Sequence, residues 1–237
     1  MKTSRKRTAI LISGRGSNMT ALIAAASEQD YPAEIVGVIS DKESAAGLGI
    51  ATASGIPVQA IPRSGYADKD AHDAAIDAAL SALNVEIVVL AGYMRLLTPS
   101  FVGKWQGRMI NIHPSLLPSF KGLDTHKRAL EAGMRIHGCT VHFVTPAMDD
   151  GPIIAQAAVP VLVDDSEKSL TARVLKAEHQ LYPLALKLVA EGKARMESGR
   201  TVFSGFADDA DTGGKLITAP SPLQGFVDLE QLARITP

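Results

Sequence analysis

A single cysteine, Cys139, stands in a chain of 237 residues. One thiol cannot close an intrachain disulfide or furnish a cysteine-rich metal site, and it fits a reduced compartment. An excess of one charge is also missing: 24 Lys and Arg oppose 25 Asp and Glu, for a formal net charge of −1. No global basic field exists to hold nucleic acid. The one basic cluster, KTSRKR at 2–7, lacks interleaved aromatics and reads as a frayed, solubilising end rather than an RNA-binding arm. No apolar run approaches the roughly 18 residues of a membrane span. TAILIS passes straight into GRGSN, unlike the core of a signal peptide. These absences point to a cytoplasmic protein with neither membrane nor nucleic-acid partner. Oligomeric state stays open, a homodimer included.

What is present is an alternation of short apolar runs and helical patterns. TAILIS (8–13), EIVGVIS (34–40), PVQAIP (57–62), VEIVVLAGY (85–93) and RMINIHP (108–114) read as strands. Helical spacing separates them, at MTALIAAASEQ, at 44–54 and at 68–83. Strands alternating with helices of this length imply βαβ units and a parallel sheet. VEIVVLAGY is the most continuous apolar run, as a strand buried on both faces requires. Further on, CTVHFVT (139–145) and PIIAQAAVPV (152–161) look like an antiparallel pair across PAMDDG. Residues 166–190 carry the longest helical pattern, opened by the capping sequence SEKS. The expected architecture is α/β: an open, mostly parallel twisted sheet with helices on both faces and an antiparallel C-terminal edge. One domain over 1–205 accounts for it, followed by a 206–237 extension of unknown role. Past Gly199 only a short strand or two is expected.

Three stretches could carry chemistry. SGRGSN (13–18) places a glycine-rich turn between a strand and a helix start. Backbone N–H groups and the helix dipole there suit a phosphate, although a tight βα turn needs glycine anyway. It is no dinucleotide fingerprint, because Met19 stands at the third glycine position, and no Gly-Lys-Ser/Thr follows. In NIHPS, Pro114 holds His113 extended and ends the strand. Asn111 and His113 are two apart, so both side chains share a face, and an amide beside an imidazole can hold an oxyanion. A packed histidine is the competing reading. MDDGP, around Asp149, is either an exposed turn or a carboxylate brought to an imidazole. Metal readings are weak: His137 and His142 fall on opposite faces of a strand, His126 stands alone at a helix start, and no G-x-S-x-G elbow exists.

Taken in order, SGRGSN, VVLAGYMRLL, NIHPSLLPSFKGLDTHKRALEAG, HGCTVHFVT, MDDGPIIAQ and TARVLKAEHQLYP resemble the phosphoribosylglycinamide formyltransferase family. The resemblance runs over residues 8–200 or so and implies a Rossmann-like formyltransferase fold. It implies formyl transfer from 10-formyltetrahydrofolate, a co-substrate, to the amine of glycinamide ribonucleotide, without a metal. Asn111, His113 and Asp149 match the family's functional trio. Gly16, Ser17 and Asn18 match its phosphate loop, and Glu178 an acid that contacts the ribonucleotide. Met94, Arg95, Leu96 and Leu97 match the folate-facing segment, and Lys69 a basic position for the folate's glutamate tail. The N-terminal half would thus hold the ribonucleotide, and the C-terminal half folate and catalysis. Asp150 departs from the pattern, adding charge where some members carry glycine.

Relatives of the same trio compete as readings. A formyltetrahydrofolate deformylase would add an N-terminal regulatory domain, for which the first strand leaves no room. A methionyl-tRNA formyltransferase would add a C-terminal nucleic-acid-binding domain and a positive surface. A non-catalytic folate or nucleotide binder would be expected to have lost one of Asn111, His113 and Asp149.

Overall fold

A computed structural model describes residues 4–205 of the chain. The 206–237 extension lies outside the described residues. Seven strands form the main sheet: β1 (Lys6–Ile12), β2 (Ala33–Ser40), β3 (Val58–Ala60), β4 (Ile87–Leu90), β5 (Met109–His113), β6 (Ile136–Phe143) and β7 (Ile153–Pro160). They lie in the order β3-β2-β1-β4-β5-β6-β7. Pairings from β3 through β5 are parallel, whereas β6 runs antiparallel to β5 and β7 antiparallel to β6. Among the described residues, six α-helices accompany the sheet: α1 (Ser17–Ala26), α2 (Ala46–Ala53), α3 (Lys69–Ala82), α4 (Pro99–Lys104), α5 (Thr125–Glu131) and α6 (Glu167–Ala190). A separate hairpin joins β8 (Ala194–Glu197) to β9 (Arg200–Phe203).

Alternation along the strands divides the apolar residues between two cores. In β1, Ile10 and Ile12 face a core built with Met19 and Leu22 of α1 and Leu181 and Leu186 of α6. Ala9 and Leu11 face the opposite core, with Ile76 and Leu80 of α3 and Phe101 and Val102 of α4. Burying a side chain of this kind contributes about 1.5–3 kcal/mol, so a strand apolar on both faces commits to the sheet centre. The strand order reverses between β1 and β4, which extend to opposite sides of the sheet. Loops leaving the carboxyl ends of these two strands border the crevice where open α/β sheets bind ligands. They are tied together there: Ser13 N donates to Gly92 O at 3.1 Å, and Met94 N donates to Ser13 Oγ at 2.8 Å.

Helix α6 starts as its sequence predicts. Ser166 accepts from Ser169 N, while the Ser169 hydroxyl accepts from Ser166 N. Near its middle, the buried Tyr182 hydroxyl donates to Leu90 O (2.9 Å) and approaches Ile110 O (3.2 Å), bracing the carboxyl end of β4 against β5.

Several local expectations are corrected. The basic run does not fray at Arg5–Arg7: Arg5 donates to Ala26 O and Ala33 O, and Lys6 and Arg7 pair with Glu86 and Glu34. Neighbouring segments on both sides of β1 turn these cations into ties across the middle of the sheet. The apolar run at 85–93 is shorter as a strand, ending at Leu90, because Gly92 turns the chain with φ 72. Helix α4 escaped the pattern reading, being a six-residue turn started by the Thr98 cap and Pro99. The C-terminal hairpin begins at Ala194, earlier than Gly199.

Two glycines give opposite stability tests. A Cβ at Gly138 would lie 2.0 Å from Ala157 O, between β6 and β7. Gly138→Ala is expected to lower stability by about 1–3 kcal/mol or more. Gly49, inside α2, has nothing within 4 Å of a built Cβ, so Gly49→Ala should add about 0.5–1 kcal/mol. Denaturant midpoints measure both; equal shifts would contradict this packing.

Candidate active site

Strand β5 ends at His113, and the pairing around it is specific. Leu90 of β4 stands opposite Asn111, and Asn111 stands opposite His142 of β6. Ile110 and Ile112 are consumed by the α1/α6 core, so Asn111 and His113 emerge on the other face. His113 is 5% exposed. Its Nε2–H donates to Phe120 O at 2.9 Å, and its Nδ1 faces Asp149 Oδ2 at 3.4 Å. Asp149 is held in turn by Gly122 N, which donates to Oδ2 at 2.9 Å.

Asp149 takes a left-handed backbone, φ 50, an uncommon conformation for a residue with a side chain. Directly behind it, a Cβ at Gly151 would lie 1.6 Å from Phe143 O. Only glycine lets the chain turn back so closely against the end of β6. The result is a carboxylate drawn into the site, with a side chain 12% exposed. Asp150 points outward to an ion pair with Lys121, which holds its carboxyl below the usual range. Its charge is answered at the surface.

His142 is a participant that sequence reasoning passed over. Its Nδ1–H donates to Phe143 O at 2.9 Å, leaving Nε2 to accept from the Asn111 amide at 3.2 Å. Asp149 Oδ1 lies 4.0 Å from the same Nε2. Burial pushes the His142 pKa down, although the Phe143 carbonyl and Asp149 oppose it. A neutral ring with one bare nitrogen turns the Asn111 Nδ2 inward and leaves its second hydrogen for another acceptor. The strand reading of HGCTVHFVT supplied the parity of His142, but not its partner strand. His126 does not stand alone: its ring meets His137 edge-on at 5.3 Å, and burial depresses both. Cys139 is buried, and burial pushes its thiol well up, removing it as a nucleophile at neutral pH.

At the other end of the crevice, Gly16 adopts φ 76 and starts α1 with no side-chain cap. A Cβ there would sit 2.9 Å from Met19 Cε and 3.1 Å from Gly47 Cα. The first N–H groups of α1 are thus left without a side-chain cap, as an anion site requires. Asn18 is turned away from them: its amide donates to Glu178 Oε2 at 2.6 Å. Both are buried, and burial raises the Glu178 carboxyl to about 7 against the Asn18 hydrogen bond.

A third region opens after β4. Met94, Arg95 and Leu96 line a cleft of about 200 Å³ with Lys69, Arg63, His72 and Asp73. Leu97 instead packs against the α3/α4 core. Asp149, Asn111 and His113 are thus brought together, as are Asn18 and Glu178, and Lys69 with the Met94–Leu96 segment. Among the described residues, no group of three or more His, Cys, Asp or Glu could hold a metal ion, and no helix is long and apolar enough to cross a membrane.

Comparison with known proteins places this geometry. The formyl transferase family profile matches residues 6–186. The phosphoribosylglycinamide formyltransferase of Haemophilus influenzae is 43% identical over 202 residues, covering 85% of this chain and 95% of that protein. The crystal structure of the enzyme of that name from Brucella melitensis is 59% identical, with a TM-score of 0.77 over 79% of this chain and 96% of the other. The trifunctional purine biosynthetic protein adenosine-3 of Gallus gallus is 47% identical over 84% of this chain, which spans only 20% of that longer protein. Matched by this profile and these relatives over most of its described residues, the chain belongs to the phosphoribosylglycinamide formyltransferase family.

Proposed function

We propose that the protein transfers a formyl group from 10-formyltetrahydrofolate to the amine of glycinamide ribonucleotide, a step of purine biosynthesis. The observation that carries this reading is the Asp149 carboxylate 3.4 Å from His113, beside an Asn111 amide oriented by His142. That constellation suits addition of a neutral amine to a formyl carbon. As the C–N bond forms, negative charge gathers on the formyl oxygen. Asn111 offers its second Nδ2 hydrogen. His113 offers the Nε2–H that rests on Phe120 O in this conformation, so the formyl oxygen takes the place of that carbonyl. Each such donor contributes about 2.7–4 kcal/mol to the transition state. The bond to N10 then breaks, and the proton lost by the attacking amine reaches N10 through Asp149, directly or by water. Atoms and charges balance without a covalent enzyme intermediate, consistent with the inert Cys139.

The two substrates meet across the crevice. The uncapped start of α1, with Gly16 and Ser17, holds the phosphate, while Asn18 and Glu178 form a buried wall beside the ribonucleotide. The folate lies along Met94, Arg95 and Leu96, with Leu97 supporting that segment from the core and Lys69 at its far end. Alignment of two bound reactants supplies a large share of the acceleration, up to about 7–11 kcal/mol in favourable cases.

Replacing His113 by Ala or Asp149 by Asn should lower kcat about 10²–10⁴-fold, with folate dissociation constants nearly unchanged by calorimetry. Near-wild-type turnover in either variant would sink the mechanism. The same assay run without the ribonucleotide should release no deformylated folate; equal release would make the protein a hydrolase. Ser17→Asp places a carboxylate where the phosphate sits, yet favours the helix start by the dipole. Its ribonucleotide KM should rise about tenfold while its thermal midpoint holds or rises. An unchanged KM would place the phosphate elsewhere.

Glu178 gives a pH-dependent stability. Its folded pKa, about 7, lies above the ordinary 4.5, so the folded chain holds this proton more tightly. The stabilisation is full below about 4.5 and is lost as pH rises through about 7. Glu178→Gln, neutral throughout, should gain on the wild type across that window, by up to about 3 kcal/mol. Urea unfolding at a series of pH values measures it, and a constant difference would contradict the buried-acid account.

A further inference from the structure

Loops leaving β2, β1 and β4 border the crevice, and Asp41 connects the outer two. It follows β2 directly, whereas Arg95 belongs to the chain leaving β4. In the order β2-β1-β4 these strands are not neighbours. Adjacent strands lie about 4.8 Å apart, so the carboxyl ends of β2 and β4 are separated by about 10 Å. A long side chain closes that gap: Arg95 Nε donates to Asp41 Oδ2 at 2.9 Å. The Asp41 side chain is 2% exposed, and its second oxygen, Oδ1, is buried without a hydrogen-bond partner. A buried carboxylate left without its ion partner is strongly unfavourable. The acid therefore fixes the more exposed arginine.

The two loops that Asp41 joins serve different halves of the site. On its own side, the turn after β2 packs on the glycine-rich loop. Gly47 N donates to Gly14 O at 3.1 Å, and a Cβ at Gly16 would lie 3.1 Å from Gly47 Cα. On the other side, hydrophobic burial does not fix Met94–Leu96, because Met94 is 71% and Leu96 63% exposed. Polar ties do. Met94 N donates to Ser13 Oγ at 2.8 Å, and beyond the segment Thr98 N donates to Asp73 Oδ2 at 2.7 Å. Arg95 is a tie between those two, and Asp41 is its anchor.

Resting on the function proposed above, we propose that Asp41 is a positioning residue for formyl transfer. Through Arg95 it sets the Met94–Leu96 segment relative to the glycine-rich loop, and so one reactant relative to the other. Its buried carboxylate meets neither substrate, so its effect falls on their alignment. A misplacement of about 1 Å between two reactants costs about 10²-fold in rate.

Asp41→Ala removes the anchor and leaves the Gly47–Gly14 bond in place. With both substrates saturating, kcat should fall about 10²-fold, while the ribonucleotide KM stays near its wild-type value. Asp41→Asn keeps a carbonyl oxygen for Arg95 Nε and should restore most of the rate, because the hydrogen bond sets the position. Hydrogen exchange on the unliganded full chain reads the same contact without turnover. The Met94 amide should exchange faster in the Ala variant and recover in the Asn variant, with the Gly47 amide unchanged. Wild-type kcat or wild-type Met94 exchange in the Ala variant overturns the assignment. So does faster exchange throughout the sheet, the mark of general destabilisation. If wild-type protein transfers no formyl group while Met94 responds as described, the proposed reaction falls and the Asp41–Arg95 tie stands.

Discussion

Strand β5 runs parallel to β4 on one side and antiparallel to β6 on the other, and its register against both sets the proposed active centre. Ile110 and Ile112 point into one core and Met109 into the other, at the far end of the strand. A slip by one residue would move both isoleucines to the wrong face and bury Asn111 and His113 among aliphatic side chains. The hydrophobic effect therefore holds the amide and the imidazole where they stand. Tyr182 strengthens the same place from below, with its hydroxyl on Leu90 O and within reach of Ile110 O. Site geometry and core packing are one constraint.

Along the crevice, burial biases the charge of two groups, His142 and Glu178. His142 is kept neutral and so can orient the Asn111 amide instead of repelling His113. Glu178 is pushed up to about 7, where a small change in surroundings alters its charge. Asp149 reaches His113 only because Gly151 tolerates a contact with Phe143 O that no side chain could accept. Asp150, one residue away, escapes to Lys121. Neighbouring acids with opposite surroundings are the usual way a fold gives one carboxylate a chemical task and leaves the other to solvent.

Local rules recovered much of the molecule. Strand and helix alternation, the Ser166 cap, the shared face of Asn111 and His113, and Pro114 at the strand end follow from periodicity and backbone sterics within a few residues. The ordered motifs carried the family. Short elements were harder: α4 has six residues and too little pattern to register. The basic residues Arg5–Arg7 looked free because their acceptors, Ala33 O, Glu34 and Glu86, belong to strand β2 and the chain entering β4.

By itself, the sequence determined which residues must be inside, where strands end, and which chemistry-bearing side chains point the same way. Only the tertiary structure decided who meets whom. The Asp149 carboxylate at His113, His142 behind Asn111, Asn18 on Glu178, His126 against His137, and Asp41 neutralising Arg95 are all contacts between distant segments. Their existence depends on strand order and on loops folded back over the sheet, and periodicity along one element cannot encode the identity of a neighbour on another. A charge read from sequence is only a formal charge; whether it is free to bind a ligand depends on the partner that folding brings to it.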